Sequence, residues 1–120
     1  MSDKPKIIQS YYPSGEKRSE AYLMDKNLHR LDGPAYIHYG LNGDVLREHY
    51  CEHGLLHRLD GPAYIEYFTL NSNEPSLKAY YIKNNYIKVK SLEEFKQYVK
   101  LLMFNCLCLS EISCQKRKSQ

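Results

Sequence analysis

The sequence predicts a mainly β protein: an antiparallel meander of tandem hairpin repeats, with a period of about 28 residues, capped by a C-terminal α-helix. Three observations predict it. The ten residues from Leu28 to Ile37 return unchanged from Leu56 to Ile65, and a repeat of this length marks a stacked architecture. The segments around the repeat are rich in Tyr, Ile and Val and are punctuated by Asn, Gly and Pro, as strands and turns require. After Lys90 the pattern changes to helical periodicity.

Three units follow one another, at about 8–35, 36–63 and 64–90. At the same offset Glu20 matches Glu48, Tyr22 matches Tyr50 and Tyr39 matches Tyr67. The third copy is altered. Tyr80 matches Tyr50 once two extra residues are allowed around Asn71-Ser72-Asn73-Glu74-Pro75, and Asn84-Asn85 then falls near His53-Gly54. The repeated loop is replaced there by Ile87-Lys88-Val89-Lys90. An atypical last repeat is expected where an array ends and one side has no neighbour.

Each unit begins with a hairpin. In the first, Tyr12-Pro13-Ser14-Gly15 supplies the turn. In the second, Ala35-Tyr36-Ile37-His38-Tyr39 reads as a strand, and Asn42-Gly43 predicts a type I′ turn, whose two central residues both need positive φ. Val45 to Cys51 alternates, with Leu46, Glu48 and Tyr50 on one face. Glu52-His53-Gly54 is a second turn, and Leu55-Leu56-His57 a short return strand. The third hairpin has a longer turn that carries Pro75.

The loop His-Arg-Leu-Asp-Gly-Pro-Ala supports two readings. As a structural corner, Asp32 and Asp60 suit turn positions, Gly33 and Gly61 free the backbone, and Pro34 and Pro62 fix φ. Arg30 with Asp32, and Arg58 with Asp60, are then close enough for a charge-assisted hydrogen bond that braces the loop. As a chemical site, His29, Asp32, His57 and Asp60 would be metal ligands or an acid/base set. Catalytic groups are normally unique, whereas these recur once per repeat, so the structural reading is preferred. Recurrence also suits a row of identical binding pockets.

The string Tyr50-x-x-x-Gly54-x-x-His57-Arg58-x-Asp60-Gly61-Pro62-Ala63 resembles the variant MORN-type repeats of large DNA viruses and phages. The resemblance covers residues 9–88. It implies a sheet of hairpins, no enzymatic activity, a role in protein assembly or dimerisation, and an intracellular place in host cytoplasm, viral factory or virion. The Gly-rich consensus of the classical repeats is shorter and its His-Gly-x-Gly is absent here, so no functional residue is carried over.

Composition sets the remaining bounds. At 120 residues the chain is one domain by length. Tyr occurs 12 times, Phe three times and Trp not at all, which suits a thin sheet of half-buried rings with hydroxyls reaching outward. Tyr36, His38, Tyr64 and Glu66 are the candidate interaction surface. A net charge of +3 is no nucleic-acid footprint by itself. The dense basic cluster is Lys116-Arg117-Lys118, in a tail (111–120) expected to be flexible, and these three are the candidate nucleic-acid contacts. The polar Met1-to-Lys6 stretch gives no secretion signal, so Cys51, Cys106, Cys108 and Cys114 are expected as free thiols. Their spacing is not that of a zinc knuckle, and no cofactor is expected.

The segment 91–110 reads as a helix. Ser91-Leu92-Glu93-Glu94 is a capping box. Leu92, Phe95, Val99, Leu102, Cys106 and Leu109 form one stripe, and Tyr98, Leu101, Met103, Phe104, Leu107 and Cys108 add apolar surface around it. The apolar stretch is far short of the ~20 residues of a spanning helix. The expectation is that one side caps the β array and another pairs with a second copy. The function expected is a non-enzymatic module for protein–protein interaction or assembly, with a homodimer as its form. The alternative is a nucleic-acid-associated protein using the basic tail and exposed Tyr and Arg.

Overall fold

The computed structural model of the protein describes residues 4–67 and 75–104. The chain divides into two compact units, Met1–Lys88 and Val89–Gln120. The first holds ten strands among the described residues: β1 (Lys6–Tyr11), β2 (Lys17–Met24), β3 (Asn27–Leu28), β4 (Tyr36–Tyr39), β5 (Val45–His49), β6 (Cys51–Glu52), β7 (Leu55–Leu56), β8 (Tyr64–Glu66), β9 (Leu77–Ile82) and β10 (Asn85–Ile87). Among its described residues the second holds one helix, α1, over residues 92–104.

The main sheet is antiparallel, in the order β1-β2-β4-β5-β8-β9-β10, with β3 paired to β2, while β6 and β7 form a separate short ribbon. Chain order is nearly spatial order, so the sheet is the meander that the repeats predict. The register shows how the units relate. Glu20, Ile37, Glu48, Ile65 and Lys78 stand in one row across five strands. Glu20 and Glu48 are repeat counterparts, so one repeat is a sideways step of two strands with no slip along them. Two strand spacings amount to ~9.6 Å.

Directly paired residues share a face of an antiparallel sheet. One face therefore carries Glu20, Ile37, Glu48 and Ile65, together with Tyr22, Tyr39 and Tyr67. The other carries Ala21, Tyr36, His49, Tyr64 and Ala79 in one row, and Ser19, His38, Arg47, Glu66 and Leu77 in the next. Among the described residues of this unit the buried apolar ones are Ala35, Cys51, Ala63, Ile65, Tyr80 and Ile82. Most of the sheet is half-buried, as expected of a single layer.

Two kinds of turn alternate along the chain. Tight two-residue turns join β2 to β3, β6 to β7 and β9 to β10. Their central pairs are Asp25 (φ 52) with Lys26 (φ 70), His53 (φ 52) with Gly54 (φ 81), and Lys83 (φ 48) with Asn84 (φ 70). Both central residues have positive φ, which is the type I′ signature. The third pair is Lys83-Asn84, one residue before the expected Asn84-Asn85.

The long hairpins close differently. The type I′ turn expected at Asn42-Gly43 is not found: Gly43 is at φ 89, but Asn42 is not at positive φ. Gly40 N–H donates to the Asp44 carbonyl at 2.8 Å and Gly43 N–H to the Gly40 carbonyl at 3.0 Å. The loop is therefore a type I turn closed by a left-handed glycine, and the register shift at His38/Tyr39 absorbs the extra residue. Tyr12 to Glu16 repeats this geometry, with Gly15 at φ 96 and a register shift at Ser10/Tyr11. A glycine marks where the left-handed residue falls but not how many residues the loop holds.

Helix α1 starts where the capping box places it. Ser91 Oγ accepts from Glu94 N–H at 3.1 Å, and the Ser91 carbonyl accepts from Phe95 N–H at 3.0 Å. Phe95 is fully buried and Val99 and Leu102 are half-buried, whereas Leu92 is 37% exposed. Cys106, Leu109, Lys116, Arg117 and Lys118 lie outside the described residues, as does most of the loop between β8 and β9. No helix among the described residues is long and apolar enough to cross a membrane.

Candidate functional site: the repeated loop

The two copies of the loop make the same arginine and histidine contacts. Each leaves its tight hairpin, crosses to the next strand, and packs its arginine inward. The Arg30 guanidinium lies over the Tyr22 ring, 4.0 Å from its centroid, and Arg58 lies over Tyr50 at 3.8 Å. Nε of each donates to the following aspartate, Asp32 or Asp60, at 2.9 Å. One Nη1 donates to the Pro34 carbonyl at 3.2 Å and the other to the Pro62 carbonyl at 3.0 Å. Each arginine is thus held by a ring, a carboxylate and a carbonyl, all from its own unit. The Arg30 charge beside Asp32 holds that carboxyl below its ordinary range, first by hydrogen bonding and then by Coulomb attraction.

The glycine is required on the other side of the guanidinium. A Cβ on Gly33 would stand 2.9 Å from Arg30 Cζ, and one on Gly61 2.9 Å from Arg58 Cζ. Neither glycine has positive φ. Their purpose is room for the arginine and not a special backbone conformation, which differs from the turn role read from sequence. The alanines that end the motif, Ala35 and Ala63, are fully buried where the chain rejoins the sheet. Tyr22 N–H donates to the Ala35 carbonyl and Tyr50 N–H to the Ala63 carbonyl, both at 2.7 Å.

The histidines reach forward into the next unit. His29 Nδ1 accepts the backbone N–H of His53 at 2.9 Å, and His57 Nδ1 accepts that of Lys83 at 3.0 Å. A backbone N–H only donates, so each Nδ1 is the acceptor of its pair. The second residue of each turn is tied back as well, Gly54 N–H to the Leu28 carbonyl at 2.8 Å and Asn84 N–H to the Leu56 carbonyl at 2.7 Å. Both amides of a strained type I′ turn are therefore satisfied by the preceding unit. The third unit, which lacks the loop, still offers its turn to His57 and the Tyr81 carbonyl to Arg58 N–H at 3.2 Å. It completes the second unit without continuing the series.

The matches outside the identical stretch are explained too. Tyr22 and Tyr50 are the arginine platforms. Tyr39 O–H donates to Glu20, and Tyr67 O–H to Glu48 at 3.0 Å. Burial and the nearby carboxylates push both tyrosines up to about 12. The sequence showed these pairs as matches at constant offset, but their partners were legible only in three dimensions.

The metal or acid/base reading gains no geometry. Nδ1 of both histidines is taken by a backbone amide, and both aspartates bond arginine. Among the described residues no three His, Cys, Asp or Glu side chains converge as metal ligands.

Two grooves flank the loops. One, of about 340 Å³, is bounded by Lys4, Pro5, Ile7, Tyr22, Arg30, Leu31 and Asp32. The other, of about 370 Å³, runs between Leu31 and Asp32 on one side and Tyr50, Arg58, Leu59 and Asp60 on the other. Leu31 is 76% exposed, Leu59 38% exposed, and the Asp32 and Asp60 side chains 86% and 85% exposed.

The candidate surface residues Tyr36, His38, Tyr64 and Glu66 share the opposite face. His49 lies between Tyr36 and Tyr64, at ring-centroid distances of 5.2 and 4.7 Å. Tyr64 O–H donates to Glu66 at 2.6 Å. His38 Nδ1 and His49 Nε2 are buried without a hydrogen-bond partner. Burial first, and then Arg47, hold both histidines below their ordinary 6.5. His49 was not among the residues singled out from sequence; its place in the Tyr36 row depends on register.

No known protein family, curated protein or solved structure matches the chain.

Proposed function

We propose that this chain is a non-enzymatic repeat module that binds another protein through the ridge of its repeated loops. The supporting observation is a contrast within the repeat. Over the eleven positions 17–27, only Glu20 and Tyr22 equal their counterparts, and then all ten from Leu28 to Ile37 do. Packing accounts for His, Arg, Asp, Gly and Ala in that stretch. It does not account for Leu31, 76% exposed, or for Leu59, which keeps 38% of its surface exposed. A large apolar side chain retained at an exposed place in both units suits contact with a partner. The resemblance to variant MORN-type repeats supports the same reading. Leu101, Met103 and Phe104 of α1, each more than half exposed, support self-association as part of it.

The test is a pull-down with the tagged chain and its Leu31→Ser/Leu59→Ser variant, split into nuclease-treated and untreated halves. Proteins captured after nuclease by the parent chain and lost by the variant are the expected result. Capture that disappears with nuclease and ignores both leucines would replace this reading with the nucleic-acid one. That second reading is favoured by the Tyr36-His49-Tyr64 row beside Arg47, an aromatic and basic arrangement suited to single strands.

A further inference from the structure

We infer that the grooves beside the two loops receive a polyproline II segment carrying a basic residue at every third position. The inference rests on the protein-binding reading above and names the chemistry of the partner. It follows from step, lining and charge.

The step comes from register. Equivalent points of the two loops are displaced by two strands with no slip along them, which is ~9.6 Å. A ligand that meets both loops identically must repeat at that interval and run across the strands. A polyproline II helix advances ~9.3 Å per three-residue turn and presents every third side chain on one side. A helical ligand repeats on one face at ~5.4 Å per turn, which does not match.

The lining comes from the exposed leucines. Leu31 stands at the wall shared by the two grooves, and Leu59 at the far wall of the second. Apolar ribs separated by one turn of the ligand suit proline rings lying between them. The arginines are engaged with their own tyrosines and carbonyls, so they form the floor of the site.

The charge comes from the rim. Each aspartate uses Oδ1 for its arginine and is otherwise open to solvent. Glu52 adds a carboxylate to the second groove. Asp32 and Asp60 therefore recur at the same step as the leucines, and a basic side chain at each third ligand position would meet one per repeat; Lys4 also lines the first groove, so the attraction is centred on the second, where Glu52 adds to it.

The probe is a synthetic peptide of four Lys-Pro-Pro triplets. Its control has the same lysines and prolines with the lysines bunched at one end. Fluorescence anisotropy with the full chain measures both. The expected result is binding of the regular peptide at least tenfold tighter, weakened severalfold by Leu31→Ser or Leu59→Ser and by added salt, with unchanged melting of the variants. Equal binding of the two peptides overturns the three-residue spacing. Binding of neither overturns the ligand chemistry. In both cases, nuclease-resistant capture that the leucine substitutions abolish would leave the protein-binding reading standing.

Discussion

Replacing Gly61 by Ala tests the arginine clasp most directly. The three atoms nearest the added Cβ all belong to Arg58, with Cζ at 2.9 Å. The guanidinium is the flexible end of its side chain, so it will swing out. The cost is then limited to what Arg58 makes in place. Its stacking on Tyr50 contributes ~1 kcal/mol, between the exposed and desolvated limits. Its hydrogen bond to the Pro62 carbonyl contributes ~1 kcal/mol. The pair with Asp60 contributes ~0.5 kcal/mol, because Asp60 is 85% exposed and solvent screens it. Against this, Ala stiffens the unfolded chain and returns ~0.5 kcal/mol, since Gly61 does not need positive φ. The net expectation is a loss of about 2 kcal/mol, read as a lower urea midpoint with an unchanged slope. The decisive measurement is a double-mutant cycle. In an Arg58→Ala background, Gly61→Ala should be neutral or slightly stabilising. An equal loss in both backgrounds would refute the idea that this glycine exists to make room for the arginine.

Three further outcomes are expected. His29→Ala removes a buried side chain and leaves the His53 amide without its acceptor, costing about 2–3 kcal/mol; His29→Asn, whose Oδ1 can accept, recovers part of that loss, and amide exchange at His53 reports it directly. Stability falls as pH drops through 6.5, because the unfolded chain protonates His38 and His49 before the folded chain does; melting curves should show this, with a smaller slope in His49→Gln. On the alkaline side, Tyr39 and Tyr67 ionise near 12 in the native protein, so their contribution is complete below 10 and is lost as pH rises toward 12; an absorbance titration should lose that component in Tyr39→Phe with Tyr67→Phe.

Particular residues show how far the sequence could be read. The meander of antiparallel hairpins, the strand character of Tyr36 to Tyr39 and the Ser91 cap were legible because each depends on neighbours in the chain. The turn at Asn42-Gly43 was misread because Asn-Gly fits more than one loop length, and the pairing of Gly40 with Asp44 decides between them. The Arg30–Asp32 brace was legible, since two residues of separation allow it. The histidine was not: its partner amide lies 24 residues away at His53 and 26 away, at Lys83, in the second copy. The functions of Tyr22, Tyr50, Glu20 and Glu48 were visible only as unexplained matches at a constant offset.

What the sequence determined by itself was the period, the β character and the motif, since repetition and local turn chemistry need no knowledge of the fold. The tertiary structure decided the rest. It placed successive units two strands apart without slip, aimed each histidine at the following turn, and left Leu31 and Leu59 exposed. These depend on register and on contacts between distant segments, which hydrogen bonds across strands set and which no local pattern records.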